Sequence, residues 1–338
     1  DEVPRVNDKR ESQMRGWRWV RDQISTVGRA LRRGLGHPDL RSLRSRVEGL
    51  EHDLSRSLQR EHAELHAAEH EIGVRGDLGE YEAGRYSQNG EDGCLLKILS
   101  EVGVRSRFLL EIGCGSGIES NSALLLTEFG WSGLLLDASK SEVRAAQDFY
   151  STKEAAERVR VMHESVRPDT VDHLLGSLLG GVEPDVLSID VDGWDYWLWK
   201  SICTISPRVV VMEVNASFGP EVSLTIPWDS SDQLHDPYHS HFRGWHHGAS
   251  LQAVAILGKS KGYRLIHVEA TGTNAFFVRE DLATDVFPVL SAEQAWKPHA
   301  FRTRRHSPEY QADSLSHTPT VEIYPHGSIS ETGSDEGR

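Results

Sequence analysis

The sequence predicts an α/β domain built on a mostly parallel sheet, covered by helices on both faces, with an antiparallel hairpin at one edge. Three observations carry this. From about Gly76 onward, short β-branched and leucine runs alternate with helical patterns, and the runs are nearly uninterrupted in apolar character, as strands buried on both faces are. A glycine-rich turn follows the first run, Phe108–Ile112. The last two runs, Tyr263–Val268 and Asn274–Val278, are joined only by Glu269 to Thr273, too short a link for a parallel crossover.

Before that domain, Trp17, Val20, Ile24, Val27, Leu31 and Leu35 recur at steps of three or four with arginines between them, the pattern of a basic amphipathic helix. Gly34, Gly36 and Pro38 end it. Leu40, Leu43, Val47, Leu50 and Leu54 then follow the a/d spacing of a short coiled coil, which stops at Glu61. Residues 1–75 are thus expected to form a helical extension that packs on its own domain, joins a second copy in a homo-oligomer, or lies on a membrane surface. Within residues 76–300 the candidate strands are Phe108–Ile112, Gly133–Asp137, Arg158–Met162, Val186–Asp190, Arg208–Val214 and the final pair, with helical patterns between the first five. Beyond about Pro298 the chain turns to Ser, His, Thr, Gly and acids without periodicity, so residues 301–338 are expected to be a flexible polar tail.

The 338 residues carry 51 acidic and 37 basic side chains, a formal net charge of −14. The first 60 residues hold 14 Lys/Arg and 9 Asp/Glu and are net +5, which leaves −19 on the remainder. The overall charge argues against a nucleic-acid binder, whose affinity would come from a basic face. No run approaches the ~18 apolar residues of a membrane span, and three cysteines make no disulfide framework. Cys94, Cys114 and Cys203 read as buried small hydrophobes. The expectation is a cytoplasmic protein, with a membrane-peripheral location as the alternative. The chain opens on Asp1, as a processed or trimmed product would, and shows no basic-then-apolar signal sequence.

The segment FLLEIGCGSG, Phe108 to Gly117, runs a buried strand into Gly113, Gly115 and Gly117, after which Asn121 or Ser122 can cap a helix. A dinucleotide fingerprint would need glycine where Ile118 stands. The pattern is instead E-x-G-x-G-x-G with Glu111 at the strand end, suited to a cofactor without phosphate but with a cationic amino-acid moiety. Twenty residues beyond Gly117, GLLLD ends at Asp137, placed to accept both hydroxyl protons of a ribose. Glu164, at the end of the third strand, is a candidate for an adenine edge.

On these residues the chain resembles the S-adenosylmethionine (SAM) site of class I methyltransferases. Over about Tyr86 to Arg279 it is similar to FkbM-like methyltransferases, through YSQNGEDG (Tyr86 to Gly93), SIDVDGWDYWLWK (Ser188 to Lys200), VVMEVN (Val210 to Asn215) and GTNAFFVR (Gly272 to Arg279). The resemblance implies a Rossmann-like seven-stranded sheet whose last pair is the hairpin. It implies SAM as cofactor, with Gln88, Glu111, Gly113, Gly115, Gly117, Asp137, Glu164 and Asp190 as its binding residues.

Asp190, Asp192 and Asp195 follow the fourth strand, and Glu213 and Asn215 end the fifth, at the carboxyl edge where parallel sheets bind ligands. Oxygen ligands converging there suit Mg²⁺ or another divalent cation. The similarity to metal-assisted sugar and macrolide O-methyltransferases puts ligands at these two strand ends, and Asp190, Asp192, Glu213 and Asn215 form the expected set. This chain departs from that pattern in having Val214 between Glu213 and Asn215. Metal-free roles are open beside it: Asp190 as a base or as a partner of the sulfonium amino acid, Asp192-Gly193 as a plain turn.

The segment His235 to His247 holds five histidines and lacks apolar periodicity, so it is expected as a loop over the cofactor. His246 and His247, next to the following helix start, are the preferred acceptors of a hydroxyl proton. Trp197 and Trp199 are expected in the core, Trp194 and Trp228 at a pocket. The expected function is SAM-dependent O-methylation of a small polyhydroxylated acceptor, a sugar or glycosylated natural product. The alternatives are a SAM- or adenosine-binding module without methyl transfer and, from another class, an NAD-dependent dehydrogenase.

Overall fold

In the computed structural model, residues 78–153, 155–231, 235–283, 287–325 and 329–332 are described. The basic helix and coiled-coil seam expected within residues 1–75 lie outside them. The chain enters through α1 (Glu91–Val102), β1 (Phe108–Ile112), α2 (Ala123–Glu128), β2 (Ser132–Asp137) and α3 (Lys140–Ser151). It continues through β3 (Val159–His163), α4 (Val171–Leu179), β4 (Val186–Ile189), α5 (Asp195–Ser201) and β5 (Val209–Glu213). A two-residue strand β6 (Leu224–Thr225) and a single turn α6 (Pro237–Ser240) precede α7 (Leu251–Ser260), β7 (Tyr263–Val268) and β8 (Asn274–Arg279).

The strands form one seven-stranded sheet in the order β3-β2-β1-β4-β5-β8-β7, parallel except for β8, which runs antiparallel between β5 and β7. Each expected strand is present, with ends shifted by a residue or two. Successive strand residues feed opposite cores: Leu110, Leu134 and Leu187 enter one cluster with Trp199 and Phe277, while Leu109, Leu135 and Val186 enter another with Ile98 and Phe276. Burial on both faces is why these strands read as apolar runs without alternation. Truncating fully enclosed Leu109 or Leu110 to Ala would cost about 2–5 kcal/mol.

Register aligns the functional edge. Ile112 pairs with both Leu136 and Ile189, and Ile189 pairs with Met212. The next residue of each strand, namely Gly113, Asp137, Asp190 and Glu213, therefore emerges side by side.

The C-terminal segment corrects the expected flexible tail. It forms α8 (Ala292–Ala295), α9 (Ala300–Thr303), α10 (Pro308–Leu315), β9 (Thr320–Ile323) and β10 (Ile329–Thr332), and β9 joins β6 and β10 in a second, antiparallel sheet. Leu315, Val321 and Ile323 are buried in the main core. Too few apolar residues recur at one period to show in the sequence, yet α8 buries Ala292 and Ala295, α10 buries Leu315, and β9 buries Val321 and Ile323. Cys94 and Cys114 are buried as expected, but Cys203 is exposed. No helix among the described residues is long and apolar enough to cross a membrane.

Candidate cofactor and acceptor site

A cavity of about 440 Å³ opens at the carboxyl ends of β1, β2 and β4. Its wall includes Gln88, Gly113, Gly115, Asp137, Glu164 and Asp190, six of the eight residues expected to bind the cofactor. The glycine turn has positive φ at all three glycines, but their surroundings differ. A β-carbon on Gly113 would lie 1.6 Å from the Asp190 carbonyl oxygen, whereas one on Gly115 would meet nothing within 4 Å. Gly117 departs from the expectation. Its missing β-carbon faces Tyr150 and Ala146 of α3 at 2.9 and 3.1 Å, so it lets a helix pack and does not line the cavity.

The Asp137 carboxylate accepts from Gly115 N at 2.8 Å and from Ser139 N at 2.7 Å. Ser139, not Asp137, caps α3, accepting from Glu142 N. Asp137 thus pins the glycine turn to β2 with one lone pair per oxygen and keeps the others for a ligand's hydroxyls. Glu111 also departs from its expected part. It is buried, accepts from Asn121 N at 3.1 Å and from the Ser122 hydroxyl, and burial pushes its carboxyl up to about 7. The hydroxyl that could have capped α2 is spent there. Glu111 lines only a smaller adjoining pocket of about 50 Å³, whose wall also carries Gln88, Glu91, Glu119, Asp190 and Asn274.

Two sequence motifs meet at this smaller pocket. Asn274 Nδ2 donates to Glu91 Oε1 at 2.7 Å, linking YSQNGEDG to GTNAFFVR. Asp92 accepts from the backbone N–H groups of Arg85, Tyr86 and Ser87 at 2.7–3.1 Å, and burial raises its pKa to about 6. Together these two acids fold the segment that carries Gln88 over the cavity rim.

At the ends of β4 and β5 the acids divide. Asp195 begins α5 and accepts from Val191 N at 2.8 Å and Gly193 N at 3.1 Å, closing the turn in which Asp192 takes φ +52°. Left-handed backbone at a non-glycine residue is uncommon and clusters at functional sites. Asp190 is raised well above the usual carboxylate range by burial and by the charge of Glu213 beside it. Burial and the charges of Asp195 and Asp192 raise Glu213 in turn, while Arg302 and a hydrogen bond with the Asp190 carboxyl oppose that rise.

The expected metal set does not assemble. Asn215 Oδ1 accepts from Ser217 N and from Arg302 Nη1, each at 3.1 Å, and its Nδ2 donates to the carbonyls of Trp245 and His247. Its amide is spent on the fold. Among the described residues, Asp192, Glu213 and His247 do bring possible ligand atoms within 4.8 Å of one another. Arg302 Nη2 donates to His247 Nε2 at 2.8 Å, however, and a guanidinium has no acceptor. The neutral ring therefore carries its proton on Nδ1, the atom 3.6 Å from Glu213 Oε2, and a protonated nitrogen ligates nothing. These residues do not fit a divalent cation.

The histidines also separate. Burial lowers His247 to about 4, so the ring is neutral at ordinary pH. His246, expected to be catalytic, receives Ser240 Oγ at 2.7 Å on Nδ1 and donates from Nε2 to the Pro319 carbonyl at 2.8 Å. Nδ1 thus braces the loop internally and Nε2 ties it to the C-terminal segment, while the residue lines a second cavity of about 280 Å³. His235, of the same loop, lines both the 440 Å³ cavity and the second cavity of about 280 Å³. Trp194 is the other residue shared by these two walls. Trp197 and Trp199 are core residues, as expected, and Trp228 packs against that core.

Strand order, antiparallel final pair and glycine turn make a Rossmann-like seven-stranded sheet. No family model and no curated protein matches the chain. It resembles solved structures of SAM-dependent methyltransferases. One is an O-methyltransferase from Bacillus cereus in complex with S-adenosylhomocysteine, at 18% identity over 65% of this chain and 89% of that one, TM-score 0.37. Another, from Thiobacillus denitrificans with the same product bound, shows 14% identity over 55% and 68%, TM-score 0.32. A candidate sarcosine dimethylglycine methyltransferase from Galdieria sulphuraria shows 18% identity over 51% of this chain, TM-score 0.34, and the chain spans 59% of its length.

Proposed function

We propose that the protein is a SAM-dependent O-methyltransferase of the FkbM-like group, acting on a hydroxyl of a small polyhydroxylated acceptor such as a sugar or glycosylated natural product. One observation carries the reading: the 440 Å³ cavity, bounded by the glycine turn, Asp137 and Asp190, shares Trp194 and His235 with a second cavity of 280 Å³. Cofactor and acceptor would meet at that common wall. The FkbM-like assignment is supported by the Glu91–Asn274 bond that joins two of its motifs.

S-adenosylmethionine, when bound, supplies an electrophilic methyl group. Asp137 would accept from the ribose hydroxyls, and the open space at Gly115 would permit close approach. Glu119, Glu91 and Asp190, around the smaller pocket, suit the cofactor's ammonium. Trp194 and His235 orient the acceptor hydroxyl, and positioning supplies most of the acceleration in such a displacement. The Asp190–Glu213 pair, side by side at the ends of β4 and β5, takes the proton that the acceptor releases.

The test is calorimetric titration with SAM and S-adenosylhomocysteine, followed by incubation with methyl-labelled SAM and a panel of glycosides and polyols read by mass spectrometry. A product one methyl heavier is expected. Binding without any labelled product would favour the cofactor-binding module, and NAD binding in place of SAM would favour a dehydrogenase.

A further inference from the structure

We propose that Arg302 is a built-in cation standing where a divalent metal would act, which makes the C-terminal segment part of the reactive site. Arg302 lies in α9, within the stretch whose composition reads as a tail. Its Nη1 donates to Asn215 Oδ1 at 3.1 Å and to Ser217 Oγ at 2.8 Å, and its Nη2 donates to His247 Nε2 at 2.8 Å. These are the neutral oxygen and nitrogen lone pairs that a hard cation at the strand ends would recruit. The guanidinium is held over the Trp245 ring at 5.8 Å. Buried Gln311 of α10 steadies the same cluster, accepting from Ser217 Oγ at 2.7 Å.

Two consequences follow for Glu213. It faces the Nδ1–H that Arg302 imposes on His247, and it lies in the field of a fixed positive charge. Glu213 Oε2 and His247 Nδ1 are both buried without a hydrogen-bond partner and stand 3.6 Å apart, close enough for electrostatic attraction but too far for a hydrogen bond. Arg302 thus sets a fixed positive charge near Glu213 without a metal, acting as a positioning residue through His247 and Glu213. That catalytic consequence rests on the methyl-transfer reading; the exclusion of a metal does not.

The test uses the full chain, with Mn²⁺ as the probe. Long-range ¹H–¹⁵N spectra of the wild type should show His247 protonated on Nδ1 and bare on Nε2. Any Mn²⁺ held by the wild type should bind equally to Glu213→Gln and leave the His247 ring signals unbroadened. Arg302→Met removes a like charge and frees three acceptor atoms, so its Mn²⁺ affinity should rise at least about tenfold, and Glu213→Gln in that background should abolish the gain. Wild-type Mn²⁺ binding that Glu213→Gln removes, or a ring protonated on Nε2, would overturn the proposal. If Arg302→Met does not fold, the two wild-type readouts still decide. Calorimetry with SAM runs in parallel: failure to bind it would count against methyl transfer and leave the Mn²⁺ and imidazole results standing.

Discussion

Gly113 and Asp190 approach so closely that a β-carbon on Gly113 would sit 1.6 Å from the Asp190 carbonyl oxygen. The first turn of the cofactor cavity and the first residue of the acidic cluster are thus one packed unit, and the three glycines of the turn should respond differently to alanine. Gly113→Ala should unfold the edge of the sheet or abolish SAM binding outright. Gly115→Ala has space and should cost about 1–2 kcal/mol for its left-handed backbone while weakening SAM by filling the cavity. Gly117→Ala should lower stability through Tyr150 and Ala146 more than it lowers affinity. Thermal melts and SAM titrations of the three variants check this, and equal affinity losses at all three would refute it.

Asp137→Asn turns one of two accepting oxygens into a donor facing a backbone N–H, either Gly115 or Ser139. A loss of about 1–3 kcal/mol is expected, divided between a looser glycine turn and weaker ribose binding. SAM affinity should fall on the order of tenfold or more, measured by calorimetry at a temperature where the variant is still folded.

Much of the cofactor side was legible because its geometry is local. A strand end followed by glycines fixes Gly113 and Gly115, and a strand of counted length delivers Asp137 to the same edge. The acceptor side was not, because its partners come from distant segments. Asn215 looks like a ligand until Arg302, 87 positions away, takes its oxygen. His246 lines the second cavity, yet Pro319, 73 positions away, takes one of its nitrogens. Arg302 sits in AFRTRRH, where nothing in composition or period separates it from a solvated arginine. The short buried pieces around Leu315 and Val321 carry no period long enough to read. Only the apolar pair in TVEIY, Val321 and Ile323, spaced by two, hinted that a strand returned.

Stability should depend on pH through Glu111. Burial raises it from an ordinary 4.5 to about 7. Between these values the native state keeps a proton that the unfolded chain has lost, so its contribution is full below 4.5 and is lost as pH rises through about 7. The stability of wild type relative to Glu111→Gln should therefore decline by on the order of 2 kcal/mol from about pH 5 to 7. Asp92, raised to about 6, adds a decline of the same sign to both proteins, so only their difference isolates Glu111. His247 works the other way: held near 4 against an ordinary 6.5, it contributes above 6.5 and loses that contribution as pH falls through about 4. Denaturant melts at several pH values read both.

His246→Ala should cost stability and leave the cofactor alone. Removing a buried ring that bonds Ser240 and Pro319 should cost about 1–3 kcal/mol, with SAM affinity unchanged because His246 does not line the larger cavity. An unchanged melt together with lost methyl transfer would return His246 to a catalytic role.

Asp195 governs the turn that presents both Asp190 and Asp192. Its carboxylate accepts from Val191 N and Gly193 N, and these two bonds bracket the residue with φ +52°. In Asp195→Asn, one of the two N–H groups faces an amide donor, leaving it unsatisfied at about 1–3 kcal/mol. The left-handed conformation of Asp192 loses the constraint that sustains it, and the turn should relax toward ordinary backbone. The ribose end of the cavity, built on β1 and β2, does not depend on this turn. SAM affinity should then change only a few-fold, while methyl transfer falls on the order of a hundredfold, as displacement of a positioning group does. Comparing SAM titration with single-turnover methyl transfer separates the two effects; an equal loss in both would mean that Asp195 supports the whole cavity rather than the reacting edge.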